Sequence, residues 1–512
     1  MRPKPDLFKR RTGRTLEERR AARTTADHAI ARRLKRLKSG YDLRLLGVSK
    51  EIGIVEMTEE ERYLNFHILG APGEGKSKLL EYHIREDIDR GNGLLLLDPS
   101  DKGDTARNIL NYCAQIGYEK VILIDPTLTA EYKKIPCLAP LSANYVDKSV
   151  DGVMEALEIL FKADYSTMRR IRRNLSALLR ILARNGLTLS EAQYFSDYNL
   201  DADKRKTILG FDRDSILVKS FFKSPYTHDL KFSSTVNIMD VLWREPVKSI
   251  VSNTEGINFR RVVGDGWVVL VNLSPYYMTD EQAELLGIMI ISQIIQAVDS
   301  LANNNWKGKF HLYIDEVGSF ASPQIKTLLQ KKRKSGVVMY LAHHDYQQFK
   351  GKEEIAAAIE NSARIKLMFN TPGYDDRMKM IKALGYGGNI PHALAVYANS
   401  DLPKQHAVLK KGKEPPVRIR IPNVETAPDA PKEYIEKILS QPFYKDVPTN
   451  ETARPQGDDT VSTQRRAKND RKPDSTTGIS DKGVDLDKWK TLSQNLPSGK
   501  QHAPKDGKKE RD

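Results

Sequence analysis

LNFHILGAPGEGKS, residues 64–77, carries a hydrophobic strand straight into a glycine-rich loop, and its reading decides the fold. Five of the six residues from Leu64 to Leu69 are apolar, aromatic or histidine, as a buried strand requires. The loop Gly70-Ala71-Pro72-Gly73-Glu74-Gly75-Lys76-Ser77 follows. The next stretch, KLLEYHIREDIDR, places Leu79, Leu80, His83 and Ile84 at helical spacing. Strand, loop and helix form the context that gives G-x-x-x-x-G-K-[ST] its meaning. Gly70, Gly73 and Gly75 allow backbone N–H groups to close around phosphate oxygens, where a Cβ would crowd the approach. The helix start adds its positive end to the same anion. Residues 70–77 are therefore expected to hold the phosphates of ATP. Lys76 would reach the β- and γ-phosphates, and the Ser77 hydroxyl would ligate Mg²⁺.

Outward from this loop, apolar runs alternate with helical segments. Leu94–Leu97 leads into Asp98-Pro-Ser-Asp-Lys-Gly-Asp104, and KVILIDP (120–126) repeats the pattern of a buried strand ending in a carboxylate. GWVVLVNLSP (266–275), VVMYLA (337–342) and RIKLMFN (364–370) supply further strands. Near-continuous apolar strands joined by helices predict an α/β fold whose mostly parallel sheet is covered on both faces. Phe310-His-Leu-Tyr-Ile-Asp315-Glu316 is a strand ending in two carboxylates, the Walker B arrangement. Asp315 would hold Mg²⁺, and Glu316 would orient and polarise the attacking water. His343 and His344 are adjacent on a strand and point to opposite faces, which argues against a shared metal ion.

Between 146 and 262 the pattern turns helical. VMEALEILFKA and IRRNLSALLRILARN place Leu157, Leu160 and Phe161, then Ile171, Leu175, Leu178 and Leu182, on helix faces. The expected organisation is a basic arm (1–44), a first core segment (45–145), an inserted all-α domain (146–262), a second core segment (263–445) and a disordered polar tail (446–512). The tail nearly lacks large apolar groups and cannot offset its chain entropy by burial.

The net charge of +15 and pI near 9.4 suggest a polyanionic partner, nucleic acid or an anionic membrane surface. The arm, ending in ARRLKRLKSG, reads equally as a docking segment or as a solvated tail. Two cysteines, Cys113 and Cys137, support neither a disulfide framework nor a cysteine zinc site, and a reducing compartment is the default. The most apolar stretch, LLGIMIISQIIQAV (285–298), is short for a membrane span and carries Gln293 and Gln296, so it reads as a buried helix.

Taken in order, HILGAPGEGKS, LLLLDPSDKGD, VILIDPT, VVLVNLSPYYMTDEQAELLG, LYIDEVGSF, RKSGVVMYLAHH and NSARIKLMF resemble the type IV coupling proteins of conjugation. These are TraD/TraG/TrwB-type ATPases within the HerA/FtsK superfamily of DNA-pumping motors, and the resemblance spans about residues 45–430. It implies a RecA-like P-loop core, a hexameric ring with ATP between subunits, and DNA passing through the middle. It also implies Walker A roles for Lys76 and Ser77 and Walker B roles for Asp315 and Glu316. Arg333 falls where FtsK-type motors place an arginine that reaches a neighbour's nucleotide, though it also reads as a solvated charge in KKRK. Two departures stand out. The family's Ala-Thr-Gln, whose glutamine senses the γ-phosphate, is replaced by Ala342-His343-His344, and no N-terminal membrane anchor is seen.

The reading that follows is an ATP-driven translocase delivering DNA, with an attached relaxase, to a membrane-bound secretion channel. It would be cytoplasmic, or held at the inner face of the membrane by its arm or a partner. A cytosolic HerA-like motor for repair or defence, and a nucleotide-gated recruitment scaffold without pumping, remain open alternatives.

Overall fold

The computed structural model describes residues 44–49, 53–58, 61, 64–161, 165–195, 202–210, 237–303, 305–331, 336–371, 373–385 and 402–447. The expected basic arm, apart from its last residue, the tail beyond Val447, and Arg333 all lie outside these residues.

An eleven-stranded sheet organises the fold. In chain order its strands are β1 (Arg44–Ser49), β2 (Gly53–Met57), β3 (Phe66–Leu69), β4 (Gly93–Asp98), β5 (Val121–Ile124), β7 (Val268–Asn272), β8 (Phe310–Ile314), β9 (Val337–His343), β10 (Ile365–Met368), β11 (His406–Lys411) and β12 (Val417–Arg420). A separate pair joins β6 (Lys134–Pro136) to β13 (Tyr444–Asp446). Across the large sheet the order is β2-β1-β12-β11-β10-β3-β9-β8-β4-β7-β5. The seven strands from β10 to β5 are parallel, and β11, β12, β1 and β2 continue the sheet antiparallel. The parallel sheet expected from the apolar runs is present.

Burial on both faces explains those runs. In β4, Leu94 and Leu96 join one core cluster while Leu95 and Leu97 join the other. The first cluster also takes Leu79, Leu80 and Ile84 of α1 (Lys76–Asp89), Ile109 of α2 (Asp104–Ile116) and Ile438 of a C-terminal helix, Lys432–Leu439. Gly91, with φ of 71°, turns the chain after α1. The opposite face packs under α3 (Val146–Phe161), α4 (Tyr165–Arg184) and α5 (Asp280–Ala302), then α6 (Pro323–Lys331) and α7 (Glu353–Ser362). Thr279 and Gln282 start α5 with a reciprocal capping box. This helix is long and apolar enough to cross a membrane, yet Leu285, Leu286, Ile288, Ile290, Ile291 and Ile294 are buried in the core. Arg172 of α4, in the basic run at 168–173, is exposed and pairs with Glu158 at 3.3 Å.

One feature escaped the sequence patterning. Strands β1 and β2 lie on the antiparallel flank, β1 pairing antiparallel with β2 along its length and with β12 at Val48↔Arg420. Gly47 is required there, since a Cβ would lie 2.6 Å from the Arg420 carbonyl oxygen. A bulge between Leu45 and Gly47 interrupts the period-two alternation by which a strand is recognised.

Candidate functional site

The sheet order brings three strand ends together. β3, which feeds the glycine loop, and β8, which carries Asp315 and Glu316, are separated only by β9, which ends beside His344. All three are parallel, so their carboxyl ends open on the same edge, where α/β sheets bind ligands. The loop is held at its entrance by Gly70 N–H donating to the His343 carbonyl (3.3 Å) and Ala71 N–H donating to the Asn370 carbonyl (2.9 Å). Farther along, the Glu74 carbonyl accepts from Gln405 N–H at 2.9 Å.

Two glycines are needed for shape. A Cβ on Gly70 would sit 2.5 Å from that of Phe369, and Gly75 has φ of 120°, a conformation L side chains rarely adopt. Pro72 and Gly73 are exposed at the loop tip, so the cradle is open to solvent.

Lys76 points inward and is 4% exposed. Its ammonium donates to the Gly70 carbonyl (2.7 Å), the Ala71 carbonyl (3.2 Å) and His344 Nδ1 (2.6 Å). Lysine has only donors, so His344 Nδ1 is the acceptor, and its Nε2–H donates a hydrogen bond to the Glu316 carboxylate. Glu316 also accepts from Gln348 Nε2 at 2.5 Å. The Ser77 hydroxyl donates to Asp315 Oδ2 at 2.9 Å. Lys76, Ser77, Asp315, Glu316 and His344 thus form one connected polar cluster, beside the backbone of Gly70 and Ala71.

The electrostatics follow from burial and proximity. Burial and the neighbouring Glu316 raise the Asp315 pKa, against the Ser77 hydrogen bond and the charge of Lys76. Burial lowers that of Lys76, against the nearby carboxylates. Burial alone would raise the Glu316 pKa, but hydrogen bonds from His344 and Gln348 take it below the usual range. For His344, burial is outweighed by the hydrogen bond and charge of Glu316, which raise its pKa above the ordinary 6.5. Glu316 also adopts φ of 51°, a left-handed backbone that is uncommon for a non-glycine residue.

Two neighbours were not anticipated. Gln348 follows Asp345, which caps a single helical turn by accepting from Gln348 N–H at 3.1 Å. The D-x-x-Q spacing signals that turn, while the Gln348 side chain reaches Glu316 instead. Gly318 makes room for it, since a Cβ there would lie 2.4 Å from that of Gln348. The second is His67, whose Nε2 lies 2.7 Å from that of His343, the two rings stacked and buried. His343 therefore faces the sheet interior while its neighbour His344 faces the loop. The Asp98 carboxylate at the end of β4 is fully buried and accepts from the backbone N–H groups of Ser100 and Ala106.

No family model matches the chain, and no curated protein matches it in sequence. Among solved structures, the plasmid coupling protein TrwB in complex with the non-hydrolysable GTP analogue GDPNP is similar over 76% of this chain and 92% of that one, with 16% identity and a TM-score of 0.55. TrwB in complex with ADP and Mg²⁺ is similar over 79% and 93%, with 16% identity and the same score of 0.55. Unbound bacterial conjugative coupling protein TrwBdeltaN70 follows at 74% and 89%, with 17% identity and 0.55. The chain has the fold of these conjugative coupling proteins, as the ordered sequence blocks implied.

Proposed function

We propose, from the coupling-protein fold and the cluster at its strand ends, that this chain is an ATPase that couples nucleotide hydrolysis to DNA movement in conjugation or type IV secretion. The contact between Ser77 and Asp315 carries the reading, because it joins the two halves of a metal-nucleotide site across 238 residues of sequence. A buried carboxylate whose pKa is raised, beside a hydroxyl, is a donor set that suits a divalent cation. Residues Gly70–Ser77 would hold the triphosphate, and Ser77 and Asp315 would hold Mg²⁺. When bound, that ion supplies charge neutralisation on the phosphate oxygens.

The chain's own groups take distinct parts. Lys76 exchanges its loop carbonyls for phosphate oxygens. Glu316 orients the attacking water and accepts its proton. His344 is a positioning residue, holding Lys76 on one nitrogen and Glu316 on the other. Arg333, in a neighbouring subunit of a hexameric ring, would stabilise charge on the transferring phosphoryl group. The helical stretch 146–262 would act as an inserted domain, and the arm would contact DNA, a membrane surface or a channel partner. Delivery of relaxase-bound DNA from the cytoplasmic side of a channel is the role that fits these parts together.

The test is ATP turnover by the full chain with and without DNA. Turnover stimulated by DNA and abolished by Lys76→Ala is the expected result. ATP binding with turnover indifferent to DNA would favour a recruitment scaffold.

A further inference from the structure

Toward the end of β3 away from the glycine loop, about 10 Å from Gly70 along the strand where Lys366 pairs with His67, the sheet carries a concentration of positive charge. Lys366 of β10 and Lys410 of β11 are direct cross-strand partners on one face of the sheet. Like charges placed directly opposite each other are destabilising. Arg364 and Lys413 join them in lining a cavity of about 390 Å³, together with Asn361 and Leu64. That volume lies in the range of small-ligand sites, roughly 300–1,000 Å³.

The contrast with the next residue is informative. Lys411 points to the other face, where Glu61 (3.0 Å) and Glu414 (3.1 Å) neutralise it. Among the described residues, none of Arg364, Lys366, Lys410 and Lys413 has a carboxylate within 4.0 Å, and no acidic residue lines the cavity. Lys366 spends one donor on the Ala383 carbonyl at 3.2 Å, leaving two of its three N–H groups. Burial lowers its pKa; the charge of Glu360 opposes that, and the charge of Lys410, a smaller influence, lowers it further. The same row continues to His67, the β3 partner of Lys366, which is buried with an unpartnered Nδ1. A fold that pairs one lysine with two acids and sets its two neighbours against each other leaves a site an anion would complete.

We propose that the Arg364–Lys366–Lys410–Lys413 cavity binds a phosphate group, separately from the nucleotide at the glycine loop. Four cationic side chains around a concave site suit a di- or trianionic oxyanion, through charge-assisted hydrogen bonds. That group can be carried by a small diphosphate or by the backbone of a nucleic acid, and the two sources are separable by experiment.

The full chain is titrated with inorganic pyrophosphate in one arm and with a single-stranded oligonucleotide in the other. ADP and excess Mg²⁺ are held constant to fill the glycine loop. The parent is compared with Lys366→Gln/Lys410→Gln and with Lys413→Gln, whose exposed side chain leaves the strand interior untouched. In at least one arm the double variant should bind about tenfold more weakly and Lys413→Gln about threefold more weakly. Loss in the pyrophosphate arm assigns a small diphosphate, and loss in the oligonucleotide arm assigns the nucleic-acid backbone. Without ligand, removing the like-charge pair through Lys410→Gln should raise Tm. The ligand that binds should then raise the parent's Tm by more than the variant's. Affinities within twofold of the parent for every folded variant in both arms would overturn the proposal. The comparison is between variants at fixed ADP, so it reads the cavity whether or not the loop binds nucleotide.

Discussion

His344→Gln tests whether the residue that stands in the place of the usual glutamine governs turnover through its charge. In the neutral imidazole, Nδ1 accepts from Lys76 at 2.6 Å and Nε2 donates to Glu316. In the imidazolium, Nδ1 also carries a proton and can only face the Gly70 carbonyl, 3.3 Å away, so Lys76 is repelled and Glu316 is held in a full ion pair. An ion-paired Glu316 is a poorer base. Because Glu316 raises the His344 pKa above 6.5 in the fold, the protonated form persists above that value. The stabilisation from the His344–Glu316 pair is therefore complete below about 6.5 and is lost as pH rises through the raised pKa. Turnover should move the opposite way, rising across the same window as Glu316 is released. A glutamine keeps one donor and one acceptor but does not titrate. Lys76 and Glu316 stay charged, so the glutamine's hydrogen bonds to them remain charge-assisted, about 1.5–3 kcal/mol each, and what is lost is the titration. At the alkaline end kcat should stay within about threefold of the parent, about 0.7 kcal/mol, while the variant's pH profile flattens because no imidazolium forms to hold Glu316 in an ion pair. Steady-state kcat measured between pH 6 and 9 for parent and variant decides the matter. If His344→Gln kept the parent's rise with pH, another group would be titrating and this assignment would fail.

Other consequences are simpler to read. Glu316→Gln should bind ATP normally and turn over slower by orders of magnitude, because the water loses its proton acceptor; parental turnover would remove Glu316 from that role. Arg333→Ala should bind ATP yet hydrolyse poorly. Mixed with Lys76→Ala protein it should regain partial activity at interfaces that combine an intact Arg333 with an intact Lys76, whereas a fully active Arg333→Ala monomer would exclude action in trans. DNA affinity should fall with salt at a log–log slope of about one per phosphate neutralised, and deleting residues 1–40 should flatten that slope if the arm touches DNA.

Much of the fold was legible because its signals are local. The strand, loop and helix of residues 64–89 are contiguous, and the unbroken apolar run Leu94–Leu97 can only be buried on both faces, as it is. The β1–β2 pair was not legible. Its place in the sheet depends on β12, some 370 residues later, and its alternation is broken by the bulge at Leu45–Gly47. The polar cluster divides along the same line. Lys76, Ser77, Asp315 and Glu316 belong to motifs that single them out by spacing, and the fold brings them together, whereas Gln348 reaches Glu316 from a one-turn helix that no period marks.

His344 shows why a motif departure has to be read in three dimensions. From the chain alone it is a missing glutamine, and a substitution of that kind weakens the link between phosphate sensing and movement. In the fold the imidazole spans the gap between the loop lysine and the Walker-type glutamate, with each ring nitrogen engaged. A side-chain amide can also bridge two groups, but it cannot change how many protons it holds. The backbone of Glu316, at φ of 51°, indicates that the carboxylate's position is maintained at a conformational cost, of about 1–3 kcal/mol for a strained residue of this kind. A glutamate held in place at that cost, and hydrogen-bonded to a histidine whose pKa it raises, is the reason we propose that the charge on residue 344 tunes the site rather than marking a lost sensor.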